Sequence, residues 1–181
     1  MKKPKIADLQ KLADATVEER DHAILRLMLD LGLRRGEIAA LDREDLKLGR
    51  HTILVDGQEL KLPAPTLLAL RAWNKRRGRK AGPLFKNYDP CIGTGNKSDT
   101  MRLSPRSVGR VVTRASYNAG LRFRVSPNTV RRGVLDSLLD AGRSVPEVLR
   151  FSRVGRPQTL RRLLSQPEAA YLPRKGTSRA R

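Results

Sequence analysis

Residues 20–46 read RDHAILRLMLDLGLRRGEIAALDREDL, and this stretch decides the fold. Ala23, Leu27 and Leu31 recur at helical spacing with Ile24 and Met28 beside them, so one face of a helix is apolar. Upstream, Thr16 and Glu19 have the spacing of a capping box, which predicts the helix start there. Gly32 predicts its end, because the left-handed terminal residue of a helix is strained for any residue with a Cβ. A second, short helix follows at once in RRGEIAALDREDL.

Working outward, Thr52–Val55 is β-branched and apolar, and Asp56-Gly57 is a two-residue hairpin signal. The alternating QELKL that follows is closed by Pro63, giving a small antiparallel hairpin. Leu67, Leu70 and Trp73 mark the apolar face of a helix from Leu67 to Arg77, which runs into the basic NKRRGRK. Residues 78–103 are dense in Gly, Pro, Asn and Ser and read as a long loop. Ser104-Pro105 and Ser126-Pro127 each pair a capping hydroxyl with a first-turn proline, so each opens a helix. In the second of these Val130, Val134, Leu135, Leu138 and Leu139 form a core stripe, and Gly142 ends it. Ser144 with Glu147 is a further capping box, and a last helix runs through PQTLRRLL. The order is helix, helix, hairpin, helix, long loop and four short helices. The expected class is α+β, mostly α. Residues 1–165 form one domain, and 166–181 a basic tail expected to lack fixed structure.

Composition narrows the partners. Thirty-eight Lys and Arg face eighteen Asp and Glu among 181 residues, a formal net charge of +20. Such self-repulsion does nothing for the fold and points to a polyanion, nucleic acid above all; charge alone does not separate DNA from RNA. A lone Cys91 with His22 and His51 gives no metal-ligand spacing, so neither metal nor cofactor is expected, and a reducing cytoplasm fits. No apolar run approaches the ~18 residues of a membrane span, and the start MKKPKIADLQ has no apolar core of a signal peptide.

Residues 20–46 also resemble the first conserved box of the tyrosine recombinases, the phage integrase and Xer family: Gly32, Leu33, Arg34, Glu37, Leu41 and Asp45 fall in register. SPNTVRRG resembles the second box, with Ser126, Pro127 and Arg131 matching, Asn128 where the family has His, and Arg132 where it has a second His. FSRVG stands at the third box with Arg153 at the His position, and counting on to the family's tyrosine lands on Arg162. The hairpin that carries the family's lysine is shortened here, with Gln58 the nearest counterpart. The match spans about residues 5–165, and the chain starts where the family's catalytic domain would, so its separate N-terminal domain is expected to be missing.

The resemblance implies a helical catalytic-domain fold that binds double-stranded DNA. In that chemistry a tyrosine attacks a phosphodiester, two arginines hold its oxygens, and a Lys or His protonates the leaving oxygen. The resemblance implies that Arg34 and Arg131 keep the clamp, with Arg132, Arg153 and Arg162 as further phosphate contacts. Glu37 is expected to orient Arg34 or cap a neighbouring helix. Nucleophile and acids are replaced, so the expected protein holds DNA in the cytoplasm, on the nucleoid, and leans away from catalysis. It would regulate recombination or integration, or organise DNA. Two other readings stay open: a strand transferase using Tyr171 or a tyrosine in trans, and a protein-interaction module. A full-length recombinase or a second copy of the chain is an open partner.

Overall fold

The computed structural model describes residues 5–87, 102–121, 123 and 125–165. The tail at 166–181 with Tyr171, the loop residues 88–101 with Tyr88, and residues 122 and 124 lie outside the described residues. The chain order is α1 (Ile6–Asp14), α2 (Glu19–Leu31), α3 (Arg35–Ala40), a 3-10 turn at Arg43–Asp45, β1 (Leu46–Lys47), β2 (Thr52–Val55), β3 (Gln58–Lys61), α4 (Ala64–Arg77), α5 (Pro105–Asn118), α6 (Pro127–Asp140), α7 (Val145–Ser152) and α8 (Pro157–Ser165). The mostly helical α+β class expected from the sequence is observed.

Helix α2 is the axis of the core. Nine of its thirteen residues are buried, because α1, α3, α4, α5 and α6 all pack on it. Its expected capping box does not form. The helix starts at Glu19 without a side-chain cap, and the Thr16 hydroxyl instead donates back to the Leu12 carbonyl of α1 at 2.7 Å. Helix α1 was not foreseen; its Leu9, Leu12 and Ala13 are buried. The C-terminus behaves as expected: Gly32 takes φ +59°. A Cβ there would lie 2.8 Å from the Phe151 ring, so α7 approaches too closely for a side chain.

The expected antiparallel hairpin forms, with register Thr52↔Lys61 through Val55↔Gln58, and both turn residues, Asp56 and Gly57, have positive φ. It gains a strand the sequence did not announce: β1 pairs antiparallel to β2 as Leu46↔Ile53 and Lys47↔Thr52. Helix α4 starts three residues earlier than expected. Its Trp73 is buried, donates its indole N–H to the Leu84 carbonyl at 2.9 Å, and stacks on Phe85 with centroids 6.2 Å apart. Arg77, at the end of α4, is buried and donates to the carbonyls of Gly78, Lys80, Gly82 and Pro83, which shapes the start of the long loop.

The serine caps form where expected. Ser104 accepts from Ser107 N–H, Ser126 from Thr129 N–H, and Ser144 pairs reciprocally with Glu147. Val130 and Val134 of α6 enter the main core. Leu135, one residue on, enters a second cluster with Val148 of α7 and Leu160 of α8, against which Leu138 and Leu139 pack.

Candidate nucleic-acid interface

A cleft of about 700 Å³ opens where α3, the β2–β3 turn, α6 and α8 converge. Arg34, Arg35 and Glu37 line one side, Asn128 and Arg131 another, Thr159 and Arg162 a third, with Asp56 at the hairpin. The Ser126 cap places Pro127 and Asn128 on this wall, so the amino end of α6, with its partial positive charge, faces the cleft.

The Gly32 turn sets Arg34. Leu33 is fully buried and anchors the chain, and Arg34 emerges as the residue preceding α3. Its N–H donates to Glu37 Oε2 at 2.6 Å, and its guanidinium, half exposed, donates to the Arg153 carbonyl at 3.1 Å. Arg131 arrives from α6, 97 residues later in sequence, and its two terminal nitrogens donate to the carbonyls of Gly32 and Ser152. Two distant segments thus bring the two guanidiniums to one wall. Burial, then the charge of Arg34, push the Arg131 guanidinium down to about 10; Glu37 opposes this and Arg153 adds to it. It remains a cation at neutral pH.

The remaining expected residues divide. Arg162 is exposed on α8 and lines the cleft, as does Asn128. Gln58 is exposed on β3 and is not part of the wall; Asp56, two residues earlier, is. Arg132 is buried in α6, away from the cleft wall. The Arg153 side chain is only 8% exposed and turned inward: it pairs with Glu37 at 3.0 Å and donates to the carbonyls of Leu31, Gly32 and Phe151. It is therefore placed as an internal strut and not as a cation presented to a ligand. Glu37 caps its own helix and pairs chiefly with Arg153; Arg34 Nε is 3.8 Å away.

Sequence reasoning missed Arg35, Asp56 and Thr159. The adjacency of Arg35 to Arg34 was a usable signal for the first. Nothing local marks Asp56, whose place depends on the turn reaching over the cleft. Among the described residues the cleft wall holds no Tyr, His or Lys. His22 bonds the Ala13 carbonyl, and His51 sits against Arg71. No cluster of three potential metal ligands occurs among the described residues, and no described helix is long and apolar enough to cross a membrane.

Comparison with known proteins gives these residues a frame. The tyrosine recombinase XerC of Myxococcus xanthus is 31% identical over 147 residues, covering 77% of this chain and 49% of that protein. XerC of Syntrophus aciditrophicus is 28% identical over 140 residues, covering 72% and 44%. The chain thus spans about half the length of the curated relatives it matches. Among solved structures, XerA recombinase superposes with a TM-score of 0.74 at 19% identity, over 91% of this chain and 60% of that one. The lambda integrase catalytic core gives 0.58 at 15% identity, over 84% and 91%. A lambda integrase dimer bound to a COC' core site gives 0.64 at 13%, over 94% and 61%. The sequence model of the phage integrase family matches residues 2–153, which takes in Arg34, Glu37, Arg131 and Arg153. With that match over most of its length, the chain belongs to the phage integrase family, the tyrosine recombinases.

Proposed function

We propose that this chain binds duplex DNA through the cleft, holding a backbone phosphate between Arg34 and Arg131, and does not cut the strand it holds. The carrying observation is the convergence of Arg34 and Arg131 on one wall, with Arg35 and Arg162 beside them. Three guanidiniums, those of Arg34, Arg131 and Arg153, surround the one carboxylate of Glu37, so the cluster keeps an excess of positive charge for an anion. The chain's +20 charge supports a polyanion as the source of that phosphate.

The non-cutting part rests on residue chemistry. An arginine stands where the family register puts the nucleophile, and a protonated guanidinium cannot attack phosphorus. Asn128 and the buried Arg153 do not donate a proton at neutral pH. In this reading the protein works beside a cutting recombinase or as a self-associating DNA organiser on the cytoplasmic nucleoid. The known lambda integrase dimer on DNA supports self-association as the mode to test first.

Mobility shift on duplex DNA across a salt series tests the binding. Engagement of about six phosphates gives a loss of roughly 10³-fold between ~50 and ~200 mM salt, and a flat titration refutes it. Arg34→Ala and Arg131→Ala should each weaken binding by about 1.5–3 kcal/mol. A nicked suicide substrate tests the chemistry: a covalent adduct abolished by Tyr171→Phe would establish a strand transferase instead.

A further inference from the structure

We infer that Arg153 is the positioning residue of the arginine clamp: its buried pair with Glu37 fixes the three carbonyls that hold Arg34 and Arg131. This rests on the clamp reading above for its DNA consequence, but its structural content stands on the contacts alone.

Arg153 ends α7 with φ +52° and ψ +37°, a conformation that costs a residue with a Cβ and that glycine adopts freely. What the side chain does there is visible in its contacts. Nε and Nη2 reach the two Glu37 oxygens at 3.3 and 3.0 Å. Nη1 donates to the carbonyls of Leu31 and Phe151, and Nη2 to that of Gly32. Four of the five bonds from this buried guanidinium join the end of α7 to the α2–α3 corner.

The backbone of the same turn carries the clamp. The Arg153 carbonyl accepts from Arg34, and the Ser152 carbonyl accepts from Arg131. The second acceptor of Arg131, the Gly32 carbonyl, is shared with Arg153 itself. Glu37 completes the link, because the Oε2 that receives Arg153 also receives the Arg34 N–H. Among the described residues, the Arg34 and Arg131 side chains therefore donate to carbonyls belonging to Arg153, adjacent to it or bonded by it. A direct phosphate role is the competing assignment. To take it, Arg153 would have to give up its 3.0 Å pair with the buried Glu37 carboxylate, leaving Arg34 Nε at 3.8 Å as the remaining ion-pair partner, which is costly.

The test uses the full chain with Arg153→Gly, which tolerates the left-handed backbone and removes the whole side chain with its guanidinium, and Arg153→Lys, which keeps the charge without the fork. The first readout is the set of arginine Nε–H resonances and their exchange rates. Arg34 and Arg131 signals that lose dispersion and protection in both variants, with the fold intact by circular dichroism, support positioning. Unchanged Arg34 and Arg131 signals overturn it. The second readout is duplex affinity in a double-mutant cycle. Arg153→Gly should weaken binding about tenfold or more in the wild-type background and cause no further loss in an Arg34→Ala/Arg131→Ala background. An additive loss makes Arg153 a direct contact and overturns the inference. If Arg34→Ala/Arg131→Ala itself leaves affinity unchanged, the DNA reading of the cleft fails, while the resonances still decide the positioning role.

Discussion

Replacing Gly32 by alanine tests the corner on which the cleft is built. The backbone there has φ +59° and ψ +30°, and a Cβ in the left-handed region costs about 1–2 kcal/mol. The added methyl also meets Phe151 Cε1 at 2.8 Å, so the ring must move. That ring is packed against both core clusters, and overpacking of this kind costs about 1–3 kcal/mol. Taking the lower part of that range, because a ring edge yields more easily than backbone, the total is about 2–4 kcal/mol. For a chain of this size each kcal/mol moves the melting temperature by about 2–4 °C, so a fall of roughly 5–15 °C is expected. Urea unfolding followed by fluorescence of Trp73, the single tryptophan and a buried one, measures it directly. Gly36→Ala is the internal control: it lies in α3 with open space around it and no positive φ, so it should be neutral or stabilising by up to about 1 kcal/mol. A Gly32→Ala loss below about 0.5 kcal/mol, or one equal to that of Gly36→Ala, refutes both the strain and the close approach of α7.

Arg77→Met removes the donors to four loop carbonyls and should cost about 3 kcal/mol or more, with faster proteolysis at residues 78–83; unchanged cleavage there contradicts the assignment. Hydrogen bonds from the Ser144 N–H and hydroxyl hold the Glu147 carboxyl below its ordinary value of 4.5, and a bond from Arg76 does the same for Glu19. A depressed carboxylate gives stability that is full above the ordinary value and lost as pH falls through the folded one, so Glu147→Gln should flatten the acid limb of the melting profile; a curve superimposable on wild type rejects this. The cations of the described cleft wall are all arginine, so DNA affinity should be flat between about pH 6 and 8. A transition near the histidine range would place His22 or His51 at the interface instead.

Much of this architecture could be read from local chemistry. Hydroxyl-proline pairs at 104–105 and 126–127, the Ser144–Glu147 box and the Asp56-Gly57 turn act within a few residues, and each formed as read. The failures involve competition or distance. The Thr16 hydroxyl, which a capping box would use as an acceptor, instead donates to the Leu12 carbonyl near the end of the unforeseen α1. Strand β1 is two residues long and owes its existence to pairing with β2, not to its own pattern. At the site, the family register located Arg34 and Arg131, but no spacing rule says whether an arginine faces a ligand or its own backbone. Arg153 and Arg162 look alike in the sequence; the left-handed end of α7 turns one inward, while α8 leaves the other exposed.

The division of α6 between two apolar clusters has a consequence for how the molecule breathes. Leu135 of α6, Val148 of α7 and Leu160 of α8 form a small nucleus of their own, so undocking α7 and α8 would break that nucleus, the Phe151 contact and the Arg153 bonds while leaving most of the packing around α2 in place. Such an excursion carries Thr159 and Arg162 away and withdraws the carbonyls of residues 152 and 153, while Arg34 and Arg131 stay on the larger body. Amides of α7 and α8 should then exchange with solvent through an opening cheaper than global unfolding. An anion that bridges the two bodies should close that opening, so occupancy of the cleft would be recorded as protection in helices that lie at its edge.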